Sequence, residues 1–401
     1  MAIEEPVLTD VFGKPETWQN PYPAYREFRA RAPFVAQWPI VFLDGAEKLV
    51  RVWMLLKYEQ VNSALRDPAT FSSEQPNAGA VSPKLVMISD DPPRHDLLRK
   101  LINKAFTARR ISELVPWIKD VAGQLLGDMP MGASVDAVSA FTMPLPVQVI
   151  ARMLGIPGEA QADFRRWSDA LVAFNGGTFT VEERVRNGME MLDYFRKTAA
   201  ARREKGGNDL ISAIVEAEVD GKRLEEWEVL GFCVLLLVAG NETTTNLMSN
   251  MLNILVDRPD LWRRLREDRT LVESAIEETL RYDCPVQMLT RRVTRDVEID
   301  GRAIHAGEQV AVSYGAANRD PAMFPDPDTF LLDRENSRHL GFGAGTHYCL
   351  GAPLARMEAT IMLNAMLDRF SSLARGDEAP QRQVATNLLF GFRKLPLKFV
   401  A

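Results

Sequence analysis

Residues 225–256 constrain the fold of this chain more than any other stretch. They predict one helix of roughly thirty residues, about 45 Å long at 1.5 Å per residue. Its centre is apolar all round, and a helix without a polar face is buried on every side. The longest unbroken apolar run in it, Phe232 to Ala239, is far short of the roughly twenty residues needed to cross a bilayer. The helix therefore belongs inside a globular core, and other helices must cover it. From Asp91 to Leu280 the pattern is helical, as in Arg94 to Phe106, where Leu97, Leu98, Leu101, Ile102 and Ala105 recur at helical spacing. Asp91 before Pro92-Pro93 is a start signal. Further helices are expected at Leu261–Leu265, at Leu271–Tyr282 and just after Cys349. Phe34–Val41 and Leu49–Leu55 suggest a small sheet, and Val297–Ile304 and Gln309–Ser313 are Val-rich pieces with Gly301 and Gly307 at turns. No linker or repeat interrupts the chain, so residues 1–401 read as a single domain, mainly α with a minor β part.

Composition excludes several classes. With 46% hydrophobic and 25% charged residues the chain is not disordered, and a net charge of −6 argues against a nucleic-acid partner. Three scattered cysteines do not make a disulfide framework. They fit a reducing, cytoplasmic setting. The first residues carry acids and no apolar segment, unlike a secretory signal, and no membrane contact is expected.

The most specific motif is Phe342-Gly343-Ala344-Gly345-Thr346-His347-Tyr348-Cys349-Leu350-Gly351. Gly343 and Gly345 allow backbone conformations closed to other residues, so the loop can fold tightly against a flat object. Cys349 sits at the mouth of a helix, where free N–H groups and the positive dipole end favour a thiolate. Gly351 leaves room beside the first turn. Such a sulfur could be a nucleophile, a metal ligand, an axial haem ligand, or a small buried hydrophobe. A zinc site would want more Cys and His nearby than His347 alone.

This segment resembles the haem-binding loop of bacterial cytochromes P450, Phe-Gly-x-Gly-x-His-x-Cys-x-Gly, at every fixed position. The resemblance implies haem b with Cys349 as its sulfur ligand, and the family's triangular, mostly helical fold. It extends from about residue 20 to the C-terminus. Ala239-Gly240-Asn241-Glu242-Thr243-Thr244, in the middle of the long helix, matches the family's oxygen-binding notch. Ala239 and Gly240 would border the cofactor, Thr243 would steady oxygen and water, and Glu242 would relay protons in place of the more common Asp. On the residues alone, Thr243 equally suits a bond back to the carbonyl one turn earlier. Glu278 and Arg281 stand at i and i+3, a spacing most often found in solvated pairs. They resemble the family's Glu-x-x-Arg lock, a structural element. His95, Arg99, Arg291 and His347 match the propionate partners, with Arg292 competing against Arg291. Weaker matches are Ala317-Asn318-Arg319-Asp320, Phe324-Pro325-Asp326-Pro327 and Leu354-Ala355-Arg356-Met357-Glu358.

The chain shows no dinucleotide fingerprint and no spaced cysteine cluster. Electrons would therefore come from NAD(P)H indirectly, through a ferredoxin or flavodoxin-type donor and its reductase. Arg94, Arg99, Lys100, Lys104, Arg109 and Arg110 form a basic stretch that an acidic partner would suit. By position relative to the matched motifs, Leu235, Val238, Ala239, Gln287, Leu289 and Leu389 are the expected substrate pocket, with Phe71–Val86 and Phe164–Phe179 as its lid. An apolar lining with one amide implies a small to medium hydrophobic substrate, oxidised with O2. The rival readings are a peroxide-using or isomerising haem-thiolate enzyme, a non-catalytic haem-binding sensor, and a cysteine hydrolase. Glu242-Thr243 argues against the first.

Overall fold

The computed structural model describes residues 9–401 except 13, 42–46, 75–85, 173–178, 220, 336, 337, 385 and 386. The helices that position the site are α1 (Arg94–Ala105), α2 (Pro144–Met153), α3 (Glu226–Val256), α4 (Leu271–Tyr282) and α5 (Ala352–Arg369). The α3 helix is the expected long one. Its start is set by the Glu228 carboxylate, which accepts the Glu225 N–H at 2.8 Å. Pro259 then opens the next helix, Pro259–Glu267. α3 packs against α2, α4 and α5, so its apolar ends are covered from several directions. Most of its residues belong to one large core that also takes in α2, α4 and α5.

The strands gather at one edge. β1 (Phe34–Val41), β2 (Glu47–Leu55), β3 (Phe71–Ser72), β4 (Leu289–Val293) and β5 (Gln309–Val312) form a sheet in the order β1-β2-β5-β4-β3. Every pair is antiparallel except β2 with β5. Register places Ser72 opposite Arg292 and Phe71 opposite Val293, which carries the chain after β3 toward the cysteine loop. Alternation along β4 buries Arg291 and Val293 and leaves Arg292 on the other face. Of the two arginines, Arg291 is therefore the buried one.

The Val-rich piece with Gly301 at a turn is a hairpin. Val297–Ile304 is two short strands, Val297–Ile299 and Arg302–Ile304, joined through Asp300 and Gly301. Both turn residues have positive φ, 47° and 76°, as a tight two-residue hairpin requires. Among the described residues no helix is long and apolar enough to cross a membrane.

Candidate active site

The cysteine loop folds on itself through backbone bonds that include Gly343 N–H to Leu340 O at 2.8 Å, Tyr348 N–H to Gly345 O at 3.1 Å and Cys349 N–H to Phe342 O at 2.9 Å. Gly343 and Gly345 take φ of +71° and +65°, the left-handed region that glycine enters without penalty. Gly345 is doubly required, since a Cβ there would lie 2.4 Å from the Leu65 carbonyl oxygen. The loop is moored by Asn318, whose Oδ1 accepts the Leu340 N–H at 2.6 Å while its Nδ2 donates to Leu280 O at 3.3 Å. Cys349 is thus presented just ahead of α5, as expected. Burial raises its thiol, while N–H groups of Gly351 and Ala352 and the cations of Arg99 and Arg356 work to lower it. The helix start favours the thiolate, but burial outweighs it. A metal cation at the sulfur would reverse that balance. Cys233 and Cys284 are buried elsewhere and pushed up to about 12, chiefly by burial. Among the described residues no cluster of three His, Cys, Asp or Glu could hold a bare ion. A lone sulfur suits a metal that arrives with its other ligands.

Beside the sulfur, four basic side chains converge. The His95 and His347 rings lie 4.3 Å apart. Burial, then Arg291, His95 and Arg99, push His347 down to about 3. Its Nε2 lies 3.0 Å from Ser73 Oγ. Arg291 is buried, bonded to the Thr290 carbonyl and close to Tyr314. His95 is 1% exposed, and its Nε2 is buried without a partner. The buried guanidinium of Arg291, the half-buried one of Arg99 beside it and the unpartnered His95 nitrogen together call for an anion. The two carboxylates of a haem have the chemistry this donor set lacks, so these residues fit that group.

The second group of expected site residues lies on α3. Ala239 is exposed and Val238, Gly240, Glu242 and Thr243 are half-buried, while Leu235, Leu237, Asn241 and Thr244 are buried. Exposure in the middle of a core helix marks an open space alongside it. Gly240 turns toward α2, where a Cβ would meet Ile150 Cδ1 at 2.5 Å, so close helix packing explains the glycine. The Thr243 hydroxyl donates to Ala239 O at 2.7 Å. That is the one-turn back-bond weighed from sequence, here realised.

The expected pocket residues divide. Leu235 is buried on α3, and Val238, Leu289 and Leu389 are partly open, with Leu389 bridged to Val286. Gln287 is a correction. It is 1% exposed, and its amide is spent on Tyr22, Tyr25 and the Cys284 carbonyl. It belongs to the N-terminal aromatic cluster, because a buried amide must satisfy its hydrogen bonds. Of the expected lid, residues 75–85 and 173–178 lie outside the described residues.

The Glu278–Arg281 pair overturns the surface reading. Both side chains are essentially buried, at 2% and 0% exposure, and bond twice at 2.7 Å. Arg281 also donates to the carbonyls of Asn318, Pro327 and Thr329. Arg334, which sequence reasoning missed, adds bonds of 3.0 and 3.1 Å to Glu278. Ser73, Tyr314, Glu277 and His339 were also missed. Only tertiary contact singles them out, although Glu277 is next to Glu278 and Arg356 lay in a weak motif. The basic stretch is thinner than expected. Arg94 is drawn to Asp90 and Glu228, and Arg109 pairs with Glu113.

A glycine-bracketed cysteine ahead of a helix, with basic side chains close to it, has the chemistry of a haem-thiolate site, and the comparisons give the family. The sequence profile of Cytochrome P450 matches residues 180–400. Cyclomarin C epoxidase CymV of Salinispora arenicola is 41% identical over 339 residues, covering 82% of this chain and 85% of that protein. Vitamin D(3) 25-hydroxylase of Pseudonocardia autotrophica is 35% identical, covering 95% and 94%. The structure of CYP109E1 from Bacillus megaterium in complex with testosterone superposes with a TM-score of 0.82 at 35% identity, covering 95% of this chain and all of that one. The chain belongs to the cytochrome P450 family. It has the family's mostly helical fold and is an oxidoreductase of the monooxygenase kind.

Proposed function

We propose that this chain inserts one oxygen atom from O2 into a small to medium hydrophobic substrate, at a haem b held by Cys349. The observation that carries the reading is the cluster of His95, Arg99, Arg291 and His347 near the cysteine, in which His95 and Arg291 are buried and His95 Nε2 has no partner. The haem, when bound, supplies oxygen activation. The chain's own residues do the rest. The quartet would take the two propionates, with Ser73 fixing the His347 ring. Gly343, Gly351 and Phe342 would let the macrocycle lie close to the loop. Ala239 would border the oxygen side, while Gly240, expected there too, instead lets α2 approach. Thr243 spends its hydrogen on Ala239 O, which leaves its oxygen lone pairs to accept from water, and Glu242 would pass protons toward it. Leu235, Val238, Leu289 and Leu389 supply apolar wall, and Glu278 with Arg281 holds the core beneath.

A hydrophobic substrate is supported by those walls and by the names of relatives that act on vitamin D(3) or bind testosterone. Electrons would come from NAD(P)H through a ferredoxin or flavodoxin-type donor and its reductase, docking near Lys100 and Arg110. The reading puts residues 1–401 to work as one domain in the cytoplasm, in keeping with three unpaired cysteines.

The deciding measurement is the difference spectrum of reduced protein with and without carbon monoxide. A strongly red-shifted Soret band is expected, lost in Cys349→Ala. Thr243→Ala should keep the band and divert electrons into hydrogen peroxide. A protein that stays colourless when made with ample haem would defeat the proposal.

A further inference from the structure

Two adjacent acids on α4 have different fates. Glu278 turns into the core, while Glu277 reaches the outer side of the cysteine loop. There Arg356, on α5, closes on it as a two-pronged pair, Nε to Oε1 at 2.7 Å and Nη2 to Oε2 at 2.8 Å. The same guanidinium lies 4.6 Å from the centre of the Phe342 ring, and its Nη1 donates to the Tyr348 hydroxyl at 3.3 Å. His339 completes the ring of contacts. The Gly341 N–H donates to its Nδ1 at 3.0 Å, which places the ring hydrogen on Nε2, and Nε2 donates to Glu277 Oε2 at 3.1 Å. One ion pair from two helices therefore grips the loop at His339, Phe342 and Tyr348, the residue before the cysteine.

We propose that Glu277 and Arg356 form a charge-balanced clamp that sets the reduction potential of the group bound at Cys349. The inference rests on the assignment of Cys349 as the iron's ligand. Both are positioning residues, acting through the loop and through the field at the sulfur rather than by touching the reacting atoms. Their side chains are 21% and 31% exposed, so water screens the pair only in part. Arg356 favours negative charge on the sulfur, and Glu277 cancels much of that charge at a distance. Reduction adds one electron to the iron. Removing the acid leaves the arginine unbalanced and makes reduction easier. Removing the arginine leaves the acid unbalanced and makes it harder. A clamp that served only to hold the loop would shift both variants in the same direction, because either change loosens the same contacts.

The test is a spectroelectrochemical titration of substrate-free, haem-loaded protein, with the carbon monoxide spectrum taken alongside. Glu277→Gln should raise the potential and Arg356→Gln should lower it. Arg356→Lys, which keeps the charge and loses the fork, should stay near wild type, and the double Gln variant should return toward wild type. Should Arg356→Gln fail to fold, Arg356→Lys against Glu277→Gln still separates charge from geometry. Shifts of the two Gln variants in one direction, or none in either, with the thiolate band intact, overturn the clamp alone. A wild-type protein without that band overturns the clamp and the ligand assignment together.

Discussion

The two walls of the site are built on different terms. On the cysteine side charged and polar groups are tied across elements: Asn318 to the loop, Glu277 to Arg356 and His339, Glu278 to Arg281 and Arg334. On the α3 side the helix is left open at Ala239, and the Thr243 hydroxyl bonds to its own backbone. The contrast follows from what each wall must do. A sulfur poised beside buried positive charge tolerates little displacement, since the interactions there fall steeply with geometry. A wall that meets changing substrates gains from having few committed partners.

That contrast can be broken at its strongest point first. Glu278→Ala would strand two guanidinium groups that are 0% and 7% exposed. Breaking a buried pair in this way costs about 3–5 kcal/mol, so a large fall in thermal midpoint or loss of soluble protein is expected. An unchanged midpoint would show that the cysteine side is not held as described.

Next comes the loop backbone. Gly345→Ala places a side chain at φ +65° and against the Leu65 carbonyl, a strain of about 1–3 kcal/mol. Gly351→Ala, where a Cβ would meet nothing nearer than Cys349 Sγ at 3.9 Å, should leave the apoprotein within about 0.5 kcal/mol of wild type. Denaturant titration of both apoproteins measures the pair, and equal losses would refute the distinction between them.

The smallest effect is the acid limb of the stability curve. Burial alone would raise the Glu277 carboxyl, but bonds from Arg356 and His339 more than offset it and hold it at about 2, against an ordinary 4.5. A carboxylate depressed on folding stabilises above its unfolded pKa and stops doing so as pH falls through the folded one. The contribution should thus be complete above about pH 4.5 and fade toward pH 2. Partial exposure limits it to on the order of 1–2 kcal/mol. Glu277→Gln should flatten this stretch of the wild-type curve, and identical acid limbs would contradict the pairing.

Much of this was legible in the sequence because it is local. Two glycines before a cysteine and a helix demand a tight loop, and the loop has the expected positive φ values. An apolar run of helical length demands burial, and α3 is buried. Arg291 and Arg292 differed only by strand alternation, which needed the register of β4 to settle. Gln287 misled because an amide near a matched motif resembles a pocket group until Tyr22 and Tyr25, far away in the chain, claim it.

The sequence by itself determined the long core helix and the glycine-bracketed cysteine, since each depends on chain spacing and backbone sterics. Tertiary structure alone decided which charges are buried and with whom. Ser73 reaches His347, Arg334 joins Glu278, and Arg356 closes on Glu277 across 79 positions. Such pairings depend on how helices and strands pack in space, and the energy of a charge depends on whether that packing removes it from water.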